Sequence, residues 1–268
     1  MIRKPAVAGR FYPADSEVLK RDLQSFLQIS SPTKKADGIV VPHAGYMYSG
    51  HVAGAVYASI EIPSRVIILC PNHTGLGEPL SIMVSGEWEI PLGRIATDSE
   101  LARVLMRHCH LLAEDHKAHE FEHSLEVQLP FLFFLKPDLK FVPITVGTSR
   151  YATIERLGQS IAETRQELGE DILVVASSDM NHYESEEITR KKDRKAIDRI
   201  LALDPKGLYD VIRKESISMC GYGPAISMLC AGHNFPHRSA ELVKYATSGE
   251  ISGNLKEVVG YAGIAVHS

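Results

Sequence analysis

The sequence predicts an α/β fold, in which helices cover both faces of a mostly parallel or mixed central sheet. Short apolar runs typical of buried strands alternate along the chain with longer segments whose apolar residues recur at helical spacing. The run 171–176 is almost entirely apolar, which indicates a central strand covered on both faces. Because no linker, repeat or low-complexity tract interrupts this alternation, we expect one three-layer αβα domain over residues 1–268.

The first half of the chain contains an arm, three strands and the first helices. After the irregular arm 1–13, a helix begins at Ser16 with leucines on one face, and the segment 30–32 ends it. A further helix begins at Thr97 or Asp98, where a capping residue precedes an apolar pattern. We also predict strands at 38–41, 65–70 and 80–84, a helix at 51–60, and a turn or short hairpin at 88–93.

The second half continues the alternation. The apolar run 124–135 is interrupted by Pro130, so a helix there must kink or restart. A long helix at 150–168 ends at Gly169. The remaining predicted elements are strands at 141–146, 171–176, 241–247 and 258–266, helices at 187–203 and 205–214, and a helix that follows the turn 219–224 and ends near Ala231.

Composition and charge exclude several classes of protein. The apolar fraction of 44% and the charged fraction of 23% are ordinary for a globular domain. The formal net charge of −4 gives no attraction to nucleic acid, and no apolar run approaches the roughly 20 residues that a membrane helix needs. The four cysteines show no Cys-x-x-Cys spacing, which favours a reducing compartment. We therefore expect a soluble cytoplasmic protein that binds neither nucleic acid nor a membrane.

Two histidines are the strongest candidates for a functional site. His43 and His73 each follow an apolar strand and a proline, and each precedes a turn that contains glycine. In open α/β sheets ligands bind beyond the carboxyl ends of the strands, so we expect the two imidazoles to converge on one site as metal ligands. Either histidine alone could equally be a loop residue hydrogen-bonded to the backbone. Their repeated context favours the functional interpretation.

Three further residues lie in loops from which they could reach this site. Cys220 precedes a Gly-Tyr-Gly-Pro turn and could face a cavity, although a free cysteine is more often an inert buried residue. Asp179 and His182 follow the strand 171–176, and their spacing suits proton transfer, with the carboxylate orienting the imidazole. The alternative is that Asp179 caps a helix.

His119 and His123 match the His-Glu-x-x-His pattern of zinc proteases. The preceding residues 113–118 offer almost no apolar face, so the helix that this pattern requires is not indicated. Zinc-dependent hydrolysis is therefore the weakest hypothesis. The chain contains neither a complete Gly-rich phosphate loop nor a Gly-x-Ser-x-Gly nucleophile motif.

Seven short motifs stand in order along essentially the whole chain: AGRFYP (8–13), PHAGY (42–46), PNHTG (71–75), EHSLE (122–126), SSDMNHY (177–183), CGY (220–222) and VGYA (259–262). Together they resemble the Memo family (mediator of ErbB-driven cell motility), whose microbial members are called AmmeMemoRadiSam system protein B. The resemblance implies a fold similar to that of the class III, LigB-type extradiol dioxygenases, which use non-haem Fe(II).

The resemblance also implies roles for individual residues. These are three metal ligands, His43, His73 and Cys220, and three flanking polar groups, His123, Asp179 and His182. His182 would match the acid–base histidine of the dioxygenases, and Cys220 would stand where those enzymes have a carboxylate. Because a thiolate is a softer ligand than a carboxylate, it favours zinc, copper, or iron with altered redox behaviour.

From these residues we expect a metal-binding protein, with Fe(II) as the first choice of divalent metal and copper or zinc as alternatives. Its chemistry would be that of a metal-dependent oxidoreductase acting on an unidentified small molecule or peptide. The alternative is a non-catalytic module that binds a peptide or another ligand in the same cleft, since eukaryotic members of the family are associated with phosphorylated peptides. The resemblance also implies a radical-enzyme partner in a shared pathway.

Overall fold

In the part of the chain that the structure describes, the fold is built on a nine-stranded mixed sheet, with a small three-stranded sheet beside it. The computed structural model describes residues 1–28, 32–232 and 237–267, so the helix end predicted at Ser30 and Ser31 lies outside the described residues. The strands are β1 (Ile2–Arg3), β2 (Gly38–Val41), β3 (Arg65–Pro71), β4 (Leu80–Ile82), β5 (Glu87–Ile90), β6 (Gly93–Ala96), β7 (Ala113–Glu114), β8 (Lys140–Val146), β9 (Ile172–Ser177), β10 (His182–Glu184), β11 (Ser239–Thr247) and β12 (Val258–His267). The helices are α1 (Ser16–Phe26), α2 (Tyr46–Ser59), α3 (Ser99–His108), α4 (Lys117–Glu120), α5 (His123–Glu126), α6 (Leu129–Leu135), α7 (Tyr151–Leu168), α8 (Glu186–Leu201), α9 (Pro205–Lys214), α10 (Tyr222–Cys230) and α11 (Gly249–Ser252).

Four parallel strands form the centre of the large sheet. Its order is β10-β12-β2-β9-β3-β8-β4-β7, with β11 paired to β12, and the small sheet has the order β1-β5-β6. Strands β2 and β3 pair in parallel with β9 on either side, and β3 also pairs with β8. Strands β12 and β4 are antiparallel to β2 and β8. The sheet is therefore mixed, and the apolar strand β9 is central, as the sequence predicted.

Side chains of the central strands alternate between two apolar cores, one on each face of the sheet. In β2, Val40 packs in one core, whereas Ile39 and Val41 pack in the other. Helices α3, α7, α8, α9 and α10 contribute side chains to the first core, and α1, α2, α5 and α6 contribute to the second. The predicted αβα layering is confirmed.

Helix α2 begins at Tyr46, five residues before the predicted start at residue 51. The glycine- and tyrosine-rich stretch 44–50 predicts a loop from sequence alone, because Gly50 weakens a helix. A Cβ on Gly50 would lie 2.7 Å from the ring of Phe26 on α1, so glycine here permits close approach of two helices. Tyr46 is buried, and its hydroxyl donates to the carbonyl of Val127 at 2.7 Å. Helix packing, rather than a turn, explains the glycine.

Three smaller features complete the fold. Strands β5 and β6 form the predicted hairpin, and Pro130 lies at the start of α6, so the helix restarts there as expected. Strand β10 was not predicted; it follows the loop after β9 and pairs with β12. Within the described ranges, no helix is both long and apolar enough to cross a membrane.

Candidate functional site

The candidate residues lie in loops at the carboxyl edge of the central strands. His43 follows β2 and His73 follows β3, while Asp179 follows β9, which lies between these two strands. His123 begins α5, and Cys220 shortly precedes α10. Because neighbouring parallel strands end at the same edge, residues as distant in sequence as His43 and Cys220, 177 positions apart, come into contact.

Three imidazoles form the centre of the site. The ring centroids of His43, His73 and His123 lie 4.7 to 5.5 Å apart. One nitrogen of each ring lies within 4.8 Å of the other two. The structure thus brings His43 and His73, expected as metal ligands, together with His123, expected as a flanking group. Nitrogens at this spacing can face a single metal ion.

Hydrogen bonds determine which nitrogen of His43 faces the centre. Its Nδ1 lies 3.0 Å from Ser177 Oγ, and that hydroxyl donates its one proton to the carbonyl of Ser124 at 2.6 Å. The imidazole must therefore donate from Nδ1, which leaves Nε2 unprotonated in the neutral ring. Burial, followed by the nearby rings of His73 and His123, lowers the pKa of His43 well below its usual value. The ring is consequently neutral at pH 7.

A buried carboxylate orients His73 in the same way. Glu122 Oε1 accepts from Nδ1 of His73 at 2.9 Å, and Oε2 accepts from its backbone N–H at 2.6 Å. Burial alone would raise the pKa of Glu122, but hydrogen bonds from His73 and Ser124 outweigh this effect and lower the pKa to about 2. Since an ionised carboxylate only accepts, Nδ1 carries the proton and Nε2 of His73 is available to a ligand.

Cys220 lies beside His43, with Sγ 3.2 Å from His43 Nε2. Burial, followed by the charge of Asp179, raises the pKa of the thiol. Without a bound cation the sulfur therefore keeps its proton, and either His43 Nε2 or the carbonyl oxygen of Asp179, 3.7 Å from Sγ, can accept it. A metal ion would remove that proton, because metal-bound thiols ionise. The thiol is placed either to hydrogen-bond to Nε2 of His43 or to bind the same metal ion as this nitrogen.

Asp179 and His182 have separate partners. Asp179 Oδ1 accepts from the backbone N–H of His43 at 2.7 Å, so this carboxylate holds the His43 loop. The helix-capping alternative is wrong, because Ser185 caps α8, the next helix along the chain. Burial raises the pKa of Asp179. Nδ1 of His182 instead lies 3.0 Å from the backbone carbonyl of Ser218. The expected orientation of His182 by Asp179 is therefore replaced by a contact with a different loop.

The zinc-protease pattern is not realised in the fold. A break at Phe121 and Glu122 separates α4 from α5, so His119 and His123 do not share one helical face. The ring of His119 is fully buried and lies 6.0 Å from Trp88 between centroids. His123 belongs to the imidazole cluster instead. The hydrolase hypothesis loses its geometric basis.

The N-terminal arm supports the helix that carries His123. The buried carboxylate of Glu126 accepts from the guanidinium of Arg3, from the hydroxyl of Tyr12 at 2.6 Å and from two backbone N–H groups of the arm. The ring of Phe11 lies 4.7 Å from the ring of His123. Helix α5 is thus held in place by the N-terminal arm, which lies outside the large sheet.

Sequence reasoning missed the partners that orient the histidines. Glu122 carried a signal, because an acidic residue directly before His123 and two residues before a serine suggests a local hydrogen-bonded turn. Ser177 and Ser218 carried none, since serine is common at strand ends and in loops. Their roles follow from contacts with residues distant in the chain.

The fold and site together define an α/β protein with a histidine cluster at the carboxyl edge of a mixed sheet. The chain belongs to the Memo family: the family model described as Memo-like protein matches residues 3–265. The family predicted from the seven motifs is confirmed.

Relatives of similar length support this assignment. A MEMO1 family protein of Pyrobaculum arsenaticum is 43% identical over 278 aligned residues, covering 99% of each chain. One of Methanothermobacter thermautotrophicus is 40% identical over 274 residues, covering 98% of this chain and 99% of the relative. Among solved structures, the uncharacterised protein JW3007 of Escherichia coli K12 is similar in fold, with a TM-score of 0.56 and 12% identity over 86% of this chain and 99% of that one.

Proposed function

We propose that the protein binds a divalent metal ion at the carboxyl edge of the sheet and uses it in oxidoreductase chemistry. Fe(II) is the first choice, and copper and zinc are the alternatives. The observation that supports this proposal is the clustering of His43, His73 and His123, with one nitrogen of each ring within 4.8 Å of the others. Neutral imidazoles are suitable ligands for all three metals.

The donor set fits a metal ion. His43 and His73 direct their Nδ1 protons at Ser177 and Glu122, which leaves both Nε2 lone pairs for a ligand. Metal-binding histidines usually have this arrangement, with the second ring nitrogen bonded to a carboxylate or another acceptor. The carboxylate of Glu122 also lies 3.5 Å from Nδ1 of His123. Its negative charge would therefore stabilise a cation held beside the rings of His73 and His123.

His43 and His73 are the two ligands on which the proposal rests. His123 is favoured as a third ligand by its position in the cluster. Cys220 is favoured by its contact with His43 Nε2 and by the affinity of thiolates for iron, copper and zinc. We propose that His123 and Cys220 both face the ion. Replacing each one separately shows which of them binds it directly.

The chain's own residues would prepare the site for reaction. When bound, the ion supplies open coordination positions and, for iron or copper, one-electron redox capacity. Asp179 holds the backbone of His43, and Glu122 and Ser177 hold the two ligand rings. His182 is the candidate group for proton transfer, because its Nδ1 is bound to the carbonyl of Ser218 and the neutral ring keeps Nε2 as a proton acceptor.

Metal analysis of purified protein tests the proposal. Iron, copper and zinc are measured after anaerobic loading of the wild type and of His43→Ala, His73→Ala, His123→Ala and Cys220→Ser. We expect His43→Ala and His73→Ala each to lose metal affinity at least about tenfold, as for removal of ligands or their supports. The control is His110→Ala, which changes an exposed histidine outside the cluster.

The outcomes are distinct. A larger loss for His123→Ala than for Cys220→Ser indicates three nitrogen ligands, and the reverse indicates a bound thiolate. Unchanged metal content in both His43→Ala and His73→Ala overturns the proposal. A folded wild-type protein that binds none of the three metals would do the same.

A further inference from the structure

His182 is held by Ser218 at both its backbone and its ring. The backbone N–H of His182 donates to Ser218 Oγ at 2.7 Å, and Nδ1 lies 3.0 Å from the carbonyl oxygen of Ser218. A carbonyl oxygen only accepts, so Nδ1 must carry the proton and Nε2 is unprotonated in the neutral ring. The tautomer is therefore set by a residue 36 positions further along the chain.

Asn181 holds Ser218 in turn. The side chain of Asn181 is fully buried, and its Oδ1 accepts from the backbone N–H of Ser218 at 3.1 Å and from the hydroxyl at 3.0 Å. Its Nδ2 donates to Glu184 Oε2 at 2.7 Å. Because a carboxylate only accepts and a backbone N–H only donates, these partners allow the amide a single orientation.

Helix α8 fixes Asn181 and its carboxylate partner. The backbone N–H of Asn181 donates to Asp193 Oδ1 at 2.8 Å, and Lys192 Nζ donates to Glu184 Oε2 at 2.6 Å. Ser218 belongs to the loop that leads to Cys220 and α10. The contact of Asn181 with Ser218 thus joins the start of β10, where His182 lies, to the loop that carries the thiol.

We infer that Asn181 is a positioning residue, which acts through Ser218 to hold His182 as the Nδ1–H tautomer with an unprotonated Nε2. In this form the imidazole can accept a proton at Nε2 without rearrangement. The use of that proton acceptor rests on the proposed function. The tautomer itself follows from the contacts of Asn181, Ser218 and Glu184 and requires no bound metal.

Imidazole NMR of the metal-free full-length protein tests this inference. Long-range 1H–15N spectra report the tautomer of each histidine, and the signal that disappears in His182→Gln identifies His182. We expect the wild type to show the Nδ1–H form alone. Asn181→Ala should shift His182 toward a mixture of both tautomers, because the Ser218 carbonyl is no longer held in place.

A matched pair at the exposed residue Ser218 provides an independent test that does not disturb the buried amide. Ser218→Ala removes the hydroxyl that binds both Asn181 and the backbone of His182, so it should give a smaller shift in the same direction. Ser218→Thr keeps the hydroxyl and should restore the wild-type signal, which a merely steric effect would not do.

The result can overturn the inference without reference to metal. A wild-type Nδ1–H signal that persists in folded Asn181→Ala contradicts it. If that variant does not fold, identical His182 signals in Ser218→Ala and Ser218→Thr contradict it. Metal loading of the same preparations separates the two claims, since a wild type that takes up no metal overturns the proposed function and leaves the tautomer result standing.

Discussion

At the scale of single residues, the candidate site depends on acceptors that lie outside the imidazole cluster. A hydroxyl, a carboxylate and a backbone carbonyl each take the Nδ1 proton of a different ring, those of His43, His73 and His182 respectively. All three imidazoles are therefore left with an unprotonated Nε2 when neutral. Such fixed tautomers are what metal binding and proton transfer both require.

Asp193 gives a prediction for the pH dependence of stability. It is fully buried, and burial raises its pKa to about 7 even though Asn181 N–H and Tyr245 OH donate to it. Its ordinary value is 3.8, so between these values the folded protein retains a proton that the unfolded chain releases. The free energy of unfolding should therefore fall as pH rises from about 4 to about 7, by up to about 4 kcal/mol at about 1.4 kcal/mol per pKa unit.

Urea unfolding of the wild type and of Asp193→Asn measures this effect. Asn has no titrating carboxyl, so the wild type should lose stability relative to the variant between pH 4.5 and 7, and the difference should become constant above about pH 8. Parallel stability curves for the two proteins across this range would show that Asp193 ionises at an ordinary pKa.

At the scale of elements, α1 and α2 approach each other closely because α2 has glycines where they cross. A Cβ on Gly50 would lie 2.7 Å from the ring of Phe26, and a Cβ on Gly54 would lie 2.5 Å from its Cβ and 2.6 Å from its carbonyl oxygen. Because α2 begins shortly after His43, this packing also fixes the helix that ends the His43 loop.

Alanine at these glycines should test the helix contact. Gly50→Ala and Gly54→Ala should each lower the free energy of unfolding by about 1–3 kcal/mol through overpacking, although alanine is the better helix former by about 1 kcal/mol. Adding Phe26→Ala should relieve Gly50→Ala, whose new methyl group meets only the ring. Phe26→Ala should not relieve Gly54→Ala, because this methyl group meets the Cβ and the backbone of residue 26, which alanine keeps.

Double-mutant cycles from urea unfolding give the two coupling energies. A large coupling for the Gly50 pair and a small one for the Gly54 pair is the expected pattern. A gain in stability for Gly54→Ala would mean that helix propensity, and not close packing, governs this position.

At the scale of the whole molecule, the N-terminal arm connects the small sheet to the site. The guanidinium of Arg3 lies 4.2 Å from the ring centroid of Trp88 on β5 and pairs with Glu126 on α5. Both members of the pair are buried. Helix α5 begins with His123, so the arm, the small sheet and the imidazole cluster form one continuous set of contacts.

Glu126→Gln should destabilise the protein by about 3–5 kcal/mol, because it leaves the Arg3 guanidinium buried without a counter-charge. The neighbouring residue supplies the control. Lys4→Ala breaks the pair of Lys4 with Glu89, in which the lysine is largely exposed, and should change stability by at most about 1 kcal/mol. Thermal or urea unfolding distinguishes the two, and equal effects would show that the arm does not anchor α5 through this charge pair.

Much of the architecture follows from local sequence patterns. Apolar runs identified the central strands, including β9, and Pro130 identified the restart at α6. Local patterns do not predict the start of α2 at Tyr46, because Gly50 has a low helix propensity. The glycine is accommodated in the helix because its missing side chain lets Phe26 of α1 pack closely against it. Strand β10 was also missed, since it is three residues long and depends on pairing with β12.

The sequence by itself determined the fold class, the family and the placement of His43 and His73 at the ends of strands. Only the tertiary structure decided that His123 joins them, that Asp179 bonds to the His43 backbone and that Ser218 orients His182. The physical reason is one of range. Strand and helix patterns reflect burial among near neighbours, whereas these contacts join residues between 36 and 136 positions apart, whose meeting depends on the order of strands in the sheet.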